Sequence, residues 1–341
     1  MSAKRFAVFG AGFWARYQLN AWRELEGVAC VAVCDRSRER AEALARELGG
    51  AAVYDDADAL MSRERLDFVD IITDVGAHPT LVHLAAKHGL PVICQKPMAP
   101  TLAQAEGMVR ACREAKVPFF VHENWRWQAP IRSLKTLLAA GGVGRIHRAT
   151  INMVSGFPVF KNQPFLAELN QFVLTDVGSH VLDTARFLFG EATSLYCHTQ
   201  RTLDWIRGEN VATIMLRMAG GATVICNLGY AQAPLERECF PETLIHIEGD
   251  QGSLELYPDY NIHATTRMGT HITRHPPPRH AWANPDYAVV HASAVPCNEN
   301  LLRALRGETA AETTGEDNLK TVRLVFAAYD SARQNQVMTL P

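Results

Sequence analysis

The sequence predicts an α/β protein in two parts: a doubly wound parallel sheet in residues 1–122, then an α+β domain in residues 123–341 with a large, mostly antiparallel open sheet. Three observations predict it. Short apolar runs alternate with helical apolar spacing as far as about His122. The first apolar run ends on a glycine turn that opens a helix. Beyond His122, strand-like runs follow one another with few helical stretches between them.

In the first part, residues 5–9, 28–34, 51–54, 68–72, 91–94 and 119–121 read as strands, and residues 13–25, 38–48, 79–88 and 102–115 as helices. Strictly alternating strand and helix demands parallel crossovers, and six strand units match one dinucleotide-binding sheet. In the second part, residues 146–154, 193–199, 210–218, 222–229, 243–248 and 253–257 read as strands. Residues 176–189 carry apolar groups at helical spacing and stop at Gly190. Three consecutive prolines mark residues 275–280 as a loop, and residues 299–305 and 317–333 read as closing helices.

A chain of 341 residues with 48% apolar and 21% charged residues supports two ordinary cores. A formal net charge of −2 without a dense basic block leaves no footprint for nucleic acid or an anionic membrane. Charged residues break every apolar run short of the roughly 18–20 residues that cross a bilayer. The eight cysteines form no C-x-x-C pair and read as reduced core residues, so a cytoplasmic enzyme is expected.

Gly10-Ala11-Gly12-Phe13-Trp14-Ala15 is G-x-G-x-x-A at a strand-to-helix turn, the signature of a Rossmann nucleotide-binding fold. Gly10 allows the tight turn, Gly12 lets the backbone approach a pyrophosphate, Phe13 and Trp14 open the helix beside it, and Ala15 lets helix and strand pack. Asp35 ends the second apolar run, where a carboxylate accepts from ribose hydroxyls; it favours NAD. Arg36 and Arg38 follow at once and would accommodate NADP. Asp176, His180 and Asp183 are spaced i, i+4, i+7 and are expected on one helix face. His180 reads as a general base oriented by Asp176, with a satisfied core histidine and a metal ligand as the other readings.

Three separated motifs make the whole chain resemble the Gfo/Idh/MocA oxidoreductases. They are the glycine turn; Gln95-Lys96-Pro97-Met98, similar to the family's Glu-Lys-Pro signature with glutamine in place of glutamate; and Asp176-Val177-Gly178-Ser179-His180 continuing to Asp183. The resemblance implies catalytic roles for Lys96, Asp176 and His180. It also places Thr73, His78, Pro79, Gln95 and Lys96 along the cofactor, and Asn124 and Arg126 beside the nicotinamide and substrate. Asn152, Lys161, Asn162 and Gln163 precede the helix of residues 176–189 and are expected to read substrate hydroxyls, with Trp125 and Trp127 offering aromatic faces to a sugar or packing in the core.

The expected activity is hydride transfer from a sugar to NAD, or to NADP, without a metal. Oxidation of a free aldose such as apiose, xylose or galactose at C1 to its lactone leads, with inositol or polyol oxidation or keto-sugar reduction as alternatives. A non-catalytic NAD(P)-binding sensor and a metal-dependent hydrolase are the readings from other classes. The resemblance further implies a homodimer or homotetramer, with a small sugar or polyol as the remaining partner.

Overall fold

The computed structural model describes residues 3–231 and 242–340. Its internal contacts divide into two units: Met1–Asn124 with His280–Ala283 and Ala294–Val322, and Trp125–Arg279 with Asn284–Ser293 and Arg323–Pro341. The sequence suggested a single cut near His122. The contacts instead return two later segments to the first unit, a long-range pairing that local sequence pattern does not encode.

The first unit alternates β1 (Lys4–Phe9), α1 (Phe13–Arg23), β2 (Val28–Cys34), α2 (Arg38–Glu47), β3 (Ala52–Tyr54), α3 (Ala57–Arg63), β4 (Phe68–Ile71), α4 (His78–Lys87), β5 (Val92–Gln95), α5 (Leu102–Glu114) and β6 (Phe119–His122). Its six strands are parallel in the order β3-β2-β1-β4-β5-β6, a doubly wound Rossmann sheet. Order reverses beside β1, so the ends of β1, β4 and β5 gather the loops that carry the motifs. Helix α3 was absent from the sequence reading because its seven residues are too few to show a period; Asp56 starts it by accepting from the Ala59 N–H at 3.0 Å.

Phe6 stacks on Phe68 with centroids 4.9 Å apart, and Trp22 closes the same core. Asp70, in the middle of buried β4, is fully enclosed. Gln18 Nε2 donates to both its oxygens at 2.9 Å and Trp22 Nε1 to one at 2.8 Å.

In the second unit come α6 (Ala129–Ala139), β7 (Ile146–Ser155), α7 (Val159–Asn162), α8 (Ser179–Phe189), β8 (Ala192–Gln200), β9 (Val211–Met218), β10 (Thr223–Tyr230), β11 (Leu244–Gly249), β12 (Gly252–Tyr257), β13 (Asn261–Thr266) and β14 (Gly269–Arg274). Helices α9 (Ala288–Leu305) and α10 (Gly315–Gln334) and strand β15 (Met338–Thr339) end the chain. The nine strands run β14-β13-β12-β11-β7-β10-β9-β8-β15; β7 and β10 are parallel and every other pairing is antiparallel. β13 and β14 escaped the sequence reading because β14 is exposed almost throughout and shows no alternation. α9 begins at Ala288, well before the expected residue 299, and holds Pro296, a residue type that usually breaks a helix, in its interior. Among the described residues no helix is long and apolar enough to cross a membrane.

Burial pushes the Asp70 carboxyl up from 3.8 to about 7. A carboxyl raised in the folded state binds protons that the unfolded chain has released, so its contribution is full below about pH 4 and is lost as pH rises through about 7. Asp70→Asn is expected to flatten that decline, which amounts to about 1.4 kcal/mol for each tenfold change in the acid constant. Denaturant unfolding of parent and variant at pH 4.5, 6 and 7.5 checks it.

Candidate active site

Gly10 has φ +104°, and a Cβ there would lie 2.4 Å from the Ile72 carbonyl oxygen, so only glycine lets β1 turn against the end of β4. At Gly12 a Cβ would meet nothing within 4 Å, and no side chain caps the N-terminus of α1. Open space in front of uncapped helical N–H groups is what a pyrophosphate requires. Phe13 is exposed and lies edge-on to Tyr17, which Trp14 also approaches.

Asp35 accepts from the Ala11 N–H at 2.7 Å and from the Ser37 N–H at 2.8 Å, so the acidic side chain is held against the glycine turn. Arg40 Nη2 donates to it at 3.1 Å, and Arg36 pairs instead with Asp74 at 3.0 Å. Arg38 faces Glu42 on its own helix. Of the nearby arginines, the one that contacts Asp35 is Arg40, which the sequence reading did not single out.

Two loops follow β4 and β5. Buried His78 lies between them: Nε2 is 3.2 Å from the Thr73 carbonyl, and Nδ1 is 3.1 and 3.2 Å from the Pro97 and Met98 carbonyls. Burial lowers the His78 pKa. This ring ties the loop of Thr73 to that of Lys96. Gln95 ends β5 with its Oε1 accepting the Lys96 N–H at 3.0 Å.

In the second unit, the helix of residues 176–189 does not start as the sequence suggested. A wide π-type turn, Leu174–Gly178, contains Asp176, and regular α8 begins at Ser179. The Glu209 carboxylate accepts from the N–H groups of Phe172 and Leu174 at 3.2 Å, charging the start of this segment, and Tyr329 donates to it at 2.7 Å. Gly178 allows close packing on β10, since a Cβ would come within 3.2 Å of Leu228. Asp176 accepts from the Tyr230 hydroxyl at 3.2 Å, and burial beside that carboxylate holds the phenol well above its usual range. His180 is buried and stacks on Trp125, centroids 4.2 Å apart at 20°. Trp125 is in turn fixed by donating to Thr243 at 3.3 Å.

Three sequence expectations change here. Asp183 does not share a role with Asp176 and His180: it forms a buried bidentate pair with Arg126 at 2.6 and 2.7 Å, with Arg186 at 3.8 Å. Arg126 is correspondingly committed to Asp183 rather than displayed for substrate. Asn152 lies on the wrong face. Tyr230 and Leu228 share the α8 side of β10 with Met153 and Ser155 of β7, so alternation sends Asn152 to the opposite side, where it accepts from Asn227 at 2.7 Å. Asn162 is better placed, donating to Tyr287 at 3.1 Å. Trp127 faces Arg132, 4.3 Å from its ring, and Asn124 is buried at the end of the first unit.

Residues 4–123 match the family described as "Oxidoreductase family, NAD-binding Rossmann fold", and residues 131–255 match the GFO/IDH/MocA C-terminal domain. The chain belongs to the Gfo/Idh/MocA oxidoreductase family. It is similar to D-apiose dehydrogenase of Paraburkholderia graminis, with 42% identity over 99% of this chain and 91% of that protein. Its identity to D-apiose dehydrogenase of Rhizobium rhizogenes is 40%, over 100% of this chain and 98% of that one. Among solved structures, an oxidoreductase from Agrobacterium radiobacter in complex with NAD+, L-tartaric acid and magnesium superposes with a TM-score of 0.97 and 40% identity, covering 99% and 98% of the two chains.

The oxidoreductase's first unit fits NAD on its own geometry: the unfilled space at Gly12, the uncapped α1 and the Asp35 carboxylate beside the turn suit pyrophosphate and ribose. Sequence reasoning missed Arg40, Glu209, Tyr230 and Tyr329. Asp70 was detectable, as a carboxylate inside an apolar strand; the others act through partners that the sequence pattern does not point to.

Asp35→Ala is expected to raise KM for NAD about tenfold, the equivalent of one charge-assisted hydrogen bond, and to raise the NADP:NAD ratio of kcat/KM because Arg40 and Arg36 remain. Steady-state kinetics with both cofactors measures this. Asp183→Ala should cost about 3–5 kcal/mol in denaturant unfolding, because it removes the carboxylate from a buried bidentate ion pair.

Proposed function

We propose that this dehydrogenase oxidises a free aldose at C1 to the lactone with NAD, D-apiose being the first candidate. The observation that carries the reading is chain-long identity of 42% and 40% to two proteins named D-apiose dehydrogenase. The arrangement of Asp176, Tyr230 and His180 in the second unit supports the chemistry.

Oxidation at C1 removes a hydride from carbon and a proton from the hydroxyl on that carbon. Bound NAD supplies the hydride acceptor. His180 takes the proton; its ring is held flat against Trp125, which leaves rotation about the side chain little freedom. Asp176, anchored by Tyr230, favours the protonated imidazole electrostatically. Lys96, at the carboxyl end of β5 where open α/β sheets bind ligands, donates to the substrate oxygen. Asn162, held by Tyr287, reads a sugar hydroxyl, whereas Arg126 serves the position of α8 through Asp183.

We also assign a homodimer or homotetramer formed through the open sheet face, where Met215 of β9 is 48% exposed between Tyr196 of β8 and Ile225 of β10, and a cytoplasmic location, in keeping with seven described cysteines that form no disulfide. Light scattering tests the assembly.

NADH formation at 340 nm is expected to be strongest with D-apiose in a panel of D-apiose, D-xylose, D-galactose and myo-inositol. Activity confined to myo-inositol would replace the C1 assignment with ring-carbon oxidation. His180→Ala should lower kcat about 10²–10⁴-fold while leaving the NAD dissociation constant within about twofold. Turnover equal to the parent's would remove His180 as the base.

A further inference from the structure

A chain of five polar residues runs through the interior of the first unit. Asp70, Gln18, Gln95, His122 and Asn298 are all at most 7% exposed. Gln18 Nε2 donates to Asp70 at 2.9 Å, and Gln95 Nε2 donates to Gln18 Oε1 at 2.6 Å and faces His122 Nδ1 at 3.1 Å. An amide nitrogen only donates, so His122 Nδ1 accepts and its Nε2–H donates to Asn298 Oδ1 at 2.9 Å. At the other end of the Gln95 amide, Oε1 accepts the N–H of Lys96.

The direction of every bond is therefore fixed, with donation running outward from the Gln95 amide nitrogen toward Asp70 on one side and Asn298 on the other. Turning the Gln95 amide over would set its oxygen against Gln18 Oε1 and its nitrogen against the Lys96 N–H, two mismatches in a site closed to water that a change of His122 tautomer does not relieve. A carboxylate at position 95 would present oxygen to Gln18 Oε1. Gln18 could answer only by turning over, which would aim its own oxygen at Asp70. With Asp70→Asn the whole chain can reverse: the new amide nitrogen at position 70 donates to Gln18 Oε1, Gln18 Nε2 donates to position 95, and His122 changes tautomer as the Asn298 amide turns.

We propose that this buried chain accepts one carboxylate, at position 70 or at position 95 but not both, and that its hydrogen-bond direction positions Lys96. Asp70 and Gln18 are thus positioning residues for the reaction, and Gln95 is glutamine because the charge stands at Asp70. The link to turnover rests on the role of Lys96 given above.

The test uses the full-length enzyme with NAD and D-apiose, measuring kcat, KM and Tm for Asp70→Asn, Gln95→Glu, the double variant and Lys96→Ala. Gln95→Glu should lose at least about 30-fold in kcat, with KM for D-apiose within threefold, and should melt earlier. The double variant should recover to within about threefold of the parent in kcat and regain most of the Tm. Losses in the double variant equal to the product of the single losses would overturn the proposal. So would coupling seen in Tm but absent from kcat when Lys96→Ala is inactive. Lys96→Ala as active as the parent would instead sink the catalytic reading, with the one-carboxylate rule still judged by Tm. If Gln95→Glu does not fold, a folded, active double variant supports the proposal, and an unfolded one counts against it. Gln95→Met then supplies a further arm: it removes the amide without adding charge and should lower kcat whether residue 70 is aspartate or asparagine, and parent-like kcat in it would overturn the proposal.

Discussion

A carboxylate enclosed in the middle of a parallel sheet is the constraint from which much of the first unit follows. A doubly wound sheet is covered on both faces, so Asp70 on β4 has no water to turn to and must be met by protein donors. Gln18 and Trp22, one turn apart on α1, supply them, and this binds the helix behind the glycine turn to the centre of the sheet. Gln18 then has an acceptor left over, which Gln95 fills, and Gln95 reaches the backbone of Lys96. One desolvated carboxyl thus sets the orientation of side chains on α1 and β5, two elements adjoining loops that bear the motifs.

The second unit solves a related problem at the start of its key helix. The segment containing Asp176 begins with backbone N–H groups that need acceptors, and Glu209 answers them from beyond α8 and β8 in the chain. The turn widens there, Asp176 is turned to Tyr230, and His180 emerges one turn later against Trp125. Asp183 and Arg126 neutralise one another in the interior and lock the following turn of α8. A motif of three polar residues thereby divides among three partners: Asp176 meets Tyr230, His180 meets Trp125, and Asp183 pairs with Arg126.

Local patterns carried far. The G-x-G-x-x-A turn, the Asp35 that follows β2, the strand and helix alternation to His122 and the strands β7 to β12 were all legible, because each depends on periods of two or 3.6 residues or on a backbone conformation that glycine supplies. Short, exposed or interrupted elements were not: α3 is under two turns long, β14 has no buried face, and α9 contains a proline. Asn152 shows how a correct strand still misleads, since the strand was right and its face was not.

By itself the sequence determined the family, the NAD-binding turn and the identities of the groups able to move a proton or bind an anion, because these are properties of residue type and short spacing. Only the tertiary structure decided which of those groups meet. It paired Arg126 with Asp183, Arg40 with Asp35, Tyr230 with Asp176 and Gln95 with Gln18. All but the Arg40–Asp35 pair join residues far apart in the chain. The physical reason is common to them: a buried polar group takes whichever complementary atom the packing of distant elements brings within hydrogen-bond reach, and no local period records that choice.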